Sequence, residues 1–82
     1  MAVENLECVI RDRETGAQSP PYRVPGDPED AKALQALLEE LAKGWHNLPA
    51  HPTWRPRYEM TVKRLDRPGD PEIHVPGLPY EG

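Results

Sequence analysis

Residues Asp27–Gly44 read DPEDAKALQALLEELAKG, and this stretch decides the fold. Leu34, Leu37, Leu38 and Leu41 recur at the i, i+3, i+4, i+7 spacing of one helical face, with Ala31, Ala42 and Trp45 extending the stripe. Lys32, Gln35, Glu39, Glu40 and Lys43 cover the remainder. Asp27 suits an N-cap, and Pro28 suits the first helical position, where its missing N–H costs nothing. Glu29 and Asp30 place negative charge at the positive end of the helix dipole, and Lys43 balances the other end. Gly44 can close the helix in the left-handed conformation. The spacing therefore predicts an amphipathic helix over about 28–43, whose apolar face needs a partner.

Strands on either side supply one. Residues 3–11 (VENLECVIR) alternate, with Leu6, Cys8 and Ile10 on one side and Asn5, Glu7, Val9 and Arg11 on the other. Asp12–Gln18 is polar, contains Gly16 and reads as a loop. Pro20 and Pro21 delay the next strand to 22–24, at an edge, because proline donates nothing to a ladder. After the helix, Trp45–Pro56 carries three prolines in twelve residues and is read as an irregular loop. Residues 57–65 (RYEMTVKRL) alternate again, with Tyr58, Met60 and Val62 inward. A turn leads to a short strand over 72–75, with Ile73 and Val75 inward. Residues 76–82 (PGLPYEG) form a Pro/Gly-rich tail. The expectation is a single α+β domain over 1–75, ordered β-β-α-β-β, with one helix packed on a four-stranded, mainly antiparallel sheet. The order of the strands across the sheet is left open. The pentapeptide PGDPE occurs at Pro25–Glu29 and again at Pro68–Glu72, but the flanking residues do not match, so it is read as turn punctuation used twice.

Composition narrows the class. The chain has 82 residues, 37% hydrophobic and 29% charged, with a net charge of -4 and eleven prolines. A chain of this length makes one domain with a modest core. Seven arginines against three lysines would suit a GC-rich bacterial or phage genome. The acidic N-terminus does not fit a signal peptide, and no run approaches a membrane span of about 20 residues. With one cysteine, no internal disulfide is available. A cytoplasmic protein is expected.

No catalytic or cofactor chemistry emerges from the residues. His46 and His51 share a loop, but Cys8 and His74 are predicted on opposite faces of the sheet, so a metal site is not assembled. Ser19 is followed by two prolines and cannot sit on a nucleophile elbow. Cys8 points into the core, where a thiol is inert. Glu39 and Glu40 diverge by about 100° on the helix. There is no Gly-rich phosphate loop. The chain is therefore expected to be non-catalytic, with no cofactor and no metal.

What remains is aromatic and arginine content outside the predicted core. Trp, Tyr and Arg dominate binding hot spots. Trp45, His46, His51, Trp54, Arg55, Arg57 and Tyr80 are the candidate partner-binding residues, Tyr80 as part of the tail segment Leu78-Pro79-Tyr80. The leading expectation is a small module that binds another protein, of adaptor, accessory or inhibitor type. An alternative is a nucleic-acid-binding regulator, since residues 55–69 carry five bases against two acids and lie beside Trp54. The net negative charge and the absence of a known reading motif weigh against it. A third reading is a homodimer or larger oligomer formed through Val3, Val9 and Leu65.

Overall fold

Strand β1 (Glu4–Asp12) and strand β3 (Tyr58–Arg64) lie side by side at the centre of a four-stranded sheet. The computed structural model describes residues 3–80. β2 (Tyr22–Gly26) pairs with the outer edge of β1, and β4 (Ile73–Pro76) with the outer edge of β3, giving the order β2-β1-β3-β4 with every pairing antiparallel. The helix α1 (Ala31–His46) connects β2 to β3 and packs on one face of the sheet. The β-β-α-β-β order and the layering match the expectation. The two longest strands are central, and the short ones form the edges.

The core is the set of inward positions that alternation selects. Leu6, Cys8 and Ile10 from β1, Tyr58, Met60 and Val62 from β3, and Val75 from β4 are buried against Leu34, Leu38 and Ala42 of α1. The contact ridge of the helix thus runs i, i+4, i+8, with Leu37, Leu41 and Trp45 as half-buried shoulders. Val24 and Ile73 are also only partly buried, because edge strands meet the helix on one side. Each fully buried large apolar side chain in this core contributes roughly 2 kcal/mol by removal from water.

The helix is shifted relative to the prediction. It starts at Ala31, and its N-cap is Asp30, whose Oδ1 accepts the Lys32 and Ala33 N–H groups at 3.1 and 3.2 Å. Asp27 instead accepts the Glu29 N–H at 3.0 Å and, with buried Pro28, forms a turn that precedes the helix. At the far end the helix runs through Gly44. Its cap is Asn47, left-handed at φ 52°, with its N–H bonded to the Lys43 carbonyl at 2.8 Å. Seating Trp45 against the core holds one more turn, which offsets the cost of about 1 kcal/mol for a glycine inside a helix.

β1 also runs further than predicted, to Asp12, which continues the inward phase of Leu6, Cys8 and Ile10 and is fully buried. The loop that follows folds back onto it. The Ser19 hydroxyl accepts the Ile10 N–H at 2.9 Å and donates to the Pro20 carbonyl at 2.9 Å. β2 includes Pro25, tolerated because the strand is at an edge. A short 3-10 turn, Arg55–Arg57, precedes β3. Pro76 belongs to β4 rather than to the tail, and Gly77 extends the pairing by donating to the Tyr58 carbonyl at 3.0 Å. The predicted tail is described as far as Tyr80; Glu81 and Gly82 lie outside the described residues.

Candidate functional site

The second face of the sheet has no helix over it. Asn5, Glu7, Val9 and Arg11 of β1, Glu59, Thr61 and Lys63 of β3, Arg23 of β2 and His74 of β4 share it by alternation. Several of its polar groups are paired: Arg23 meets Glu7 at 3.4 Å, and Glu59 takes Arg11 and Arg13 at 3.3 and 3.9 Å, with the His74 ring 3.5 Å away. Exposed pairs of this kind add little stability, but they make the face hydrophilic and set its polarity. Among the described residues, no Trp or Tyr of the strands stands on it.

The aromatic residues lie on the helix side. Trp45 and Trp54 both meet the buried ring of Tyr58 edge-on, at centroid distances of 6.4 and 5.6 Å. His46, in the last turn of α1, stacks on Trp45 at 3.8 Å, and its Nδ1 lies 2.9 Å from the Tyr58 hydroxyl. The histidine thereby partners a phenol that burial would otherwise leave unpaired; the same burial pushes the Tyr58 pKa up. The Trp54 indole N–H donates to the Pro49 carbonyl at 3.0 Å and ties down the loop after the helix. Trp45 and His46 are helical, not loop, residues, and Trp54 does have a place against the core. These three side chains close the end of the core over Tyr58.

Arg57 is likewise engaged. Its Nε and Nη2 donate to the two carboxylate oxygens of Asp12 at 3.0 and 2.8 Å, and Glu14 approaches Nε at 3.1 Å. Hydrogen bonding from Arg57 holds the Asp12 carboxyl well below the usual carboxylate range, aided by the Glu14 N–H, against the opposing effect of desolvation. A second bidentate pair, Arg64 with Glu4 at 3.1 and 2.5 Å, closes the opposite end of β3. Of the basic residues the nucleic-acid reading would use, Arg55 and Arg57 are both committed to carboxylates, and Trp54 faces Tyr58.

Arg55, His51 and Tyr80 do come together. The Arg55 side chain is 15% exposed, and its Nη1 meets Glu39 of α1 at 2.6 Å. Its Nε and Nη2 donate to the carbonyls of Leu78 and Pro79 at 2.6 and 2.9 Å. The Tyr80 ring lies 6.0 Å from its guanidinium carbon and 6.2 Å from the exposed His51 ring. Gln35 joins them from the helix, with Nε2 donating to the Pro76 carbonyl at 2.7 Å and Oε1 accepting the Leu78 N–H at 3.2 Å. Leu78 is 50% and Tyr80 39% exposed, and two open depressions flank Leu78. One, of about 290 Å³, lies toward Ala31, Leu34, Ile73 and Val75; the other, of about 350 Å³, lies toward Ala36, Glu39 and Arg55.

Three residues that shape this region, Asp12, Gln35 and Gly77, were not singled out in the sequence. Asp12 did carry a signal, since it falls in phase with Leu6, Cys8 and Ile10. Gln35 and Gly77 carried none, because the partners of Gln35 lie 41–43 residues away and those of Gly77 are main-chain atoms. Among the described residues, no group of three or more His, Cys, Asp or Glu side chains could hold a metal ion. Cys8 is buried, and desolvation pushes its thiol up to about 11. No described helix is long and apolar enough to cross a membrane. Comparison with protein-family models, curated proteins and solved structures gives no significant match.

Proposed function

We propose that this protein is a small non-catalytic module that works in the cytoplasm by binding another protein, as an adaptor, accessory or inhibitor. The observation that carries the reading is the surface around Leu78. Exposed Ala31, Ala36 and Leu78 line two adjoining depressions together with Glu39 and Arg55, and exposed Tyr80 lies beside Arg55 and His51. An apolar centre, an aromatic and an arginine within a polar border is the composition of a binding hot spot. With Trp45, His46, Trp54 and Arg57 engaged in the fold, the interaction surface contracts to Arg55, His51 and Tyr80, joined by α1 and the edge of β4.

Ala36 and Ala31 are exposed helix positions where a longer side chain leaves the core untouched. Tagged wild-type protein should capture a partner from its native host, identified by mass spectrometry and then purified for direct titration. Ala36→Arg should weaken that purified interaction at least tenfold with no loss of thermal stability. Unchanged affinity in Ala36→Arg and in Ala31→Arg would remove this surface from the proposal.

A further inference from the structure

Residues 76–80 are held in the manner of a bound peptide, through the main chain. Gln35 lies along the segment with its amide donating to the Pro76 carbonyl and accepting the Leu78 N–H, one acceptor and one donor two residues apart. Arg55 takes the Leu78 and Pro79 carbonyls, and Glu39 fixes its remaining nitrogen at 2.6 Å. The Gly77 N–H is bonded to Tyr58. None of these hydrogen bonds reads a side chain of the tail; the Tyr80 ring lies beside the shelf, 6.0 Å from the Arg55 guanidinium carbon. The one position defined by shape is Gly77, where a Cβ would overlap the Arg55 carbonyl. Pro76 and Pro79 stand three apart, the repeat of a polyproline II turn, a form that exposes its carbonyls in this way. The side chains most able to add affinity are the least used, since Leu78 stands half exposed between two unfilled depressions.

We infer that the shelf formed by Gln35, Glu39 and Arg55 is a peptide-binding site occupied in cis by residues 76–80, and that its partner in trans is an extended, proline-containing segment of another protein carrying a Gly-apolar-Pro sequence. This rests on the protein-binding reading and names the chemistry of the partner. A tethered tail competes at an effective concentration in the millimolar range. A segment in trans therefore displaces it by filling the depressions that Leu78 leaves open. The tail then acts as a strap that keeps the shelf covered until a better ligand arrives.

The test uses the full-length chain and a fluorescein-labelled synthetic peptide of residues 75–82 (VPGLPYEG), read by anisotropy. Leu78→Gly combined with Pro79→Gly loosens the strap by removing its apolar contact and freeing its backbone. The peptide should bind this variant about tenfold more tightly than wild type, because the cis competitor is weaker. Adding Gln35→Ala should abolish the gain while the circular dichroism spectrum stays native. Equal affinity for wild type and the loosened variant, or a gain indifferent to Gln35→Ala, overturns the inference. If that happens while Ala36→Arg still weakens partner binding, the protein-binding reading stands without the strap. If the peptide behaves as expected and Ala36→Arg has no effect on the partner, the shelf stands and the partner docks elsewhere.

Discussion

Gly77 has no room for a side chain. An added Cβ would overlap the Arg55 carbonyl and lie 2.6 Å from the Tyr58 carbonyl, both main-chain atoms that cannot rotate away. Gly77→Ala should therefore destabilise the protein by about 2 kcal/mol, as overpacking in a rigid setting does, and release the tail; a chemical denaturation curve measures the first effect. Gly69, with open space around its Cα, provides the control, and Gly69→Ala should be close to neutral. Asp12 governs a different property. Its pKa is depressed in the folded state, chiefly by the hydrogen bonds from Arg57, so its contribution is complete above the unfolded value of about 3.9. That contribution is lost as pH falls through the folded value. Asp12→Asn should accordingly lower the melting temperature at pH 7 by several degrees. The gap from wild type should narrow steadily once the pH drops below about 4. A gap that stays constant down to pH 2 would mean that the carboxylate charge contributes nothing.

The helix shows which features of an element a sequence exposes and which it conceals. The leucine stripe was legible because burial selects one face at a fixed period, and the alternation in β1 and β3 was legible for the same reason. The ends were not. Asp27 and Asp30 are chemically equivalent caps, and Pro28 suits a turn as well as a first helical residue. What selects Asp30 is the register in which Leu34, Leu38 and Ala42 face the sheet, a tertiary fact. Gly44 and Asn47 present the same ambiguity, settled by the packing of Trp45. The site was concealed more deeply, because Arg55 and Gln35 act on main-chain atoms of residues 76–79, and no side-chain pattern announces a main-chain ligand. Two substitutions check the helix ends. Asp30→Ala should cost about 1 kcal/mol, the usual value of an N-cap, and clearly more than Asp27→Ala. Asn47→Gly should leave stability unchanged or raise it slightly, since glycine adopts φ 52° without strain. Equal losses at the two aspartates would argue that the preceding turn is as important as the cap.

At the scale of the whole molecule, a single sheet with one covered face makes cooperativity depend on the joint between β1, β3 and α1. Cys8 is placed at that joint. It is fully buried on β1, paired with Tyr22 on one side and Val62 on the other, beneath the helix. Burial pushes its thiol up to about 11, so at pH 8 it is protonated as well as hidden. A thiol reagent can reach it only if β2 peels away together with the helix, or if the domain unfolds completely. The edge strand β2 is five residues long and holds a proline, which makes local peeling the competing route. β1 is also paired with β3 along seven residues, and the apolar contacts that cover Cys8 come from the helix as well as from the strands. Labelling should therefore require global unfolding, and at reagent concentrations low enough for refolding to outpace the reaction, the logarithm of its rate should rise with urea with the slope of the circular dichroism transition. A rate independent of urea would show that the β2 edge and the helix open while β1 and β3 stay paired. Shaving the core with Leu38→Ala should raise the logarithm of the labelling rate in proportion to the lost stability, about 2–4 kcal/mol for such a truncation, because the helix and the central strands are lost together or not at all.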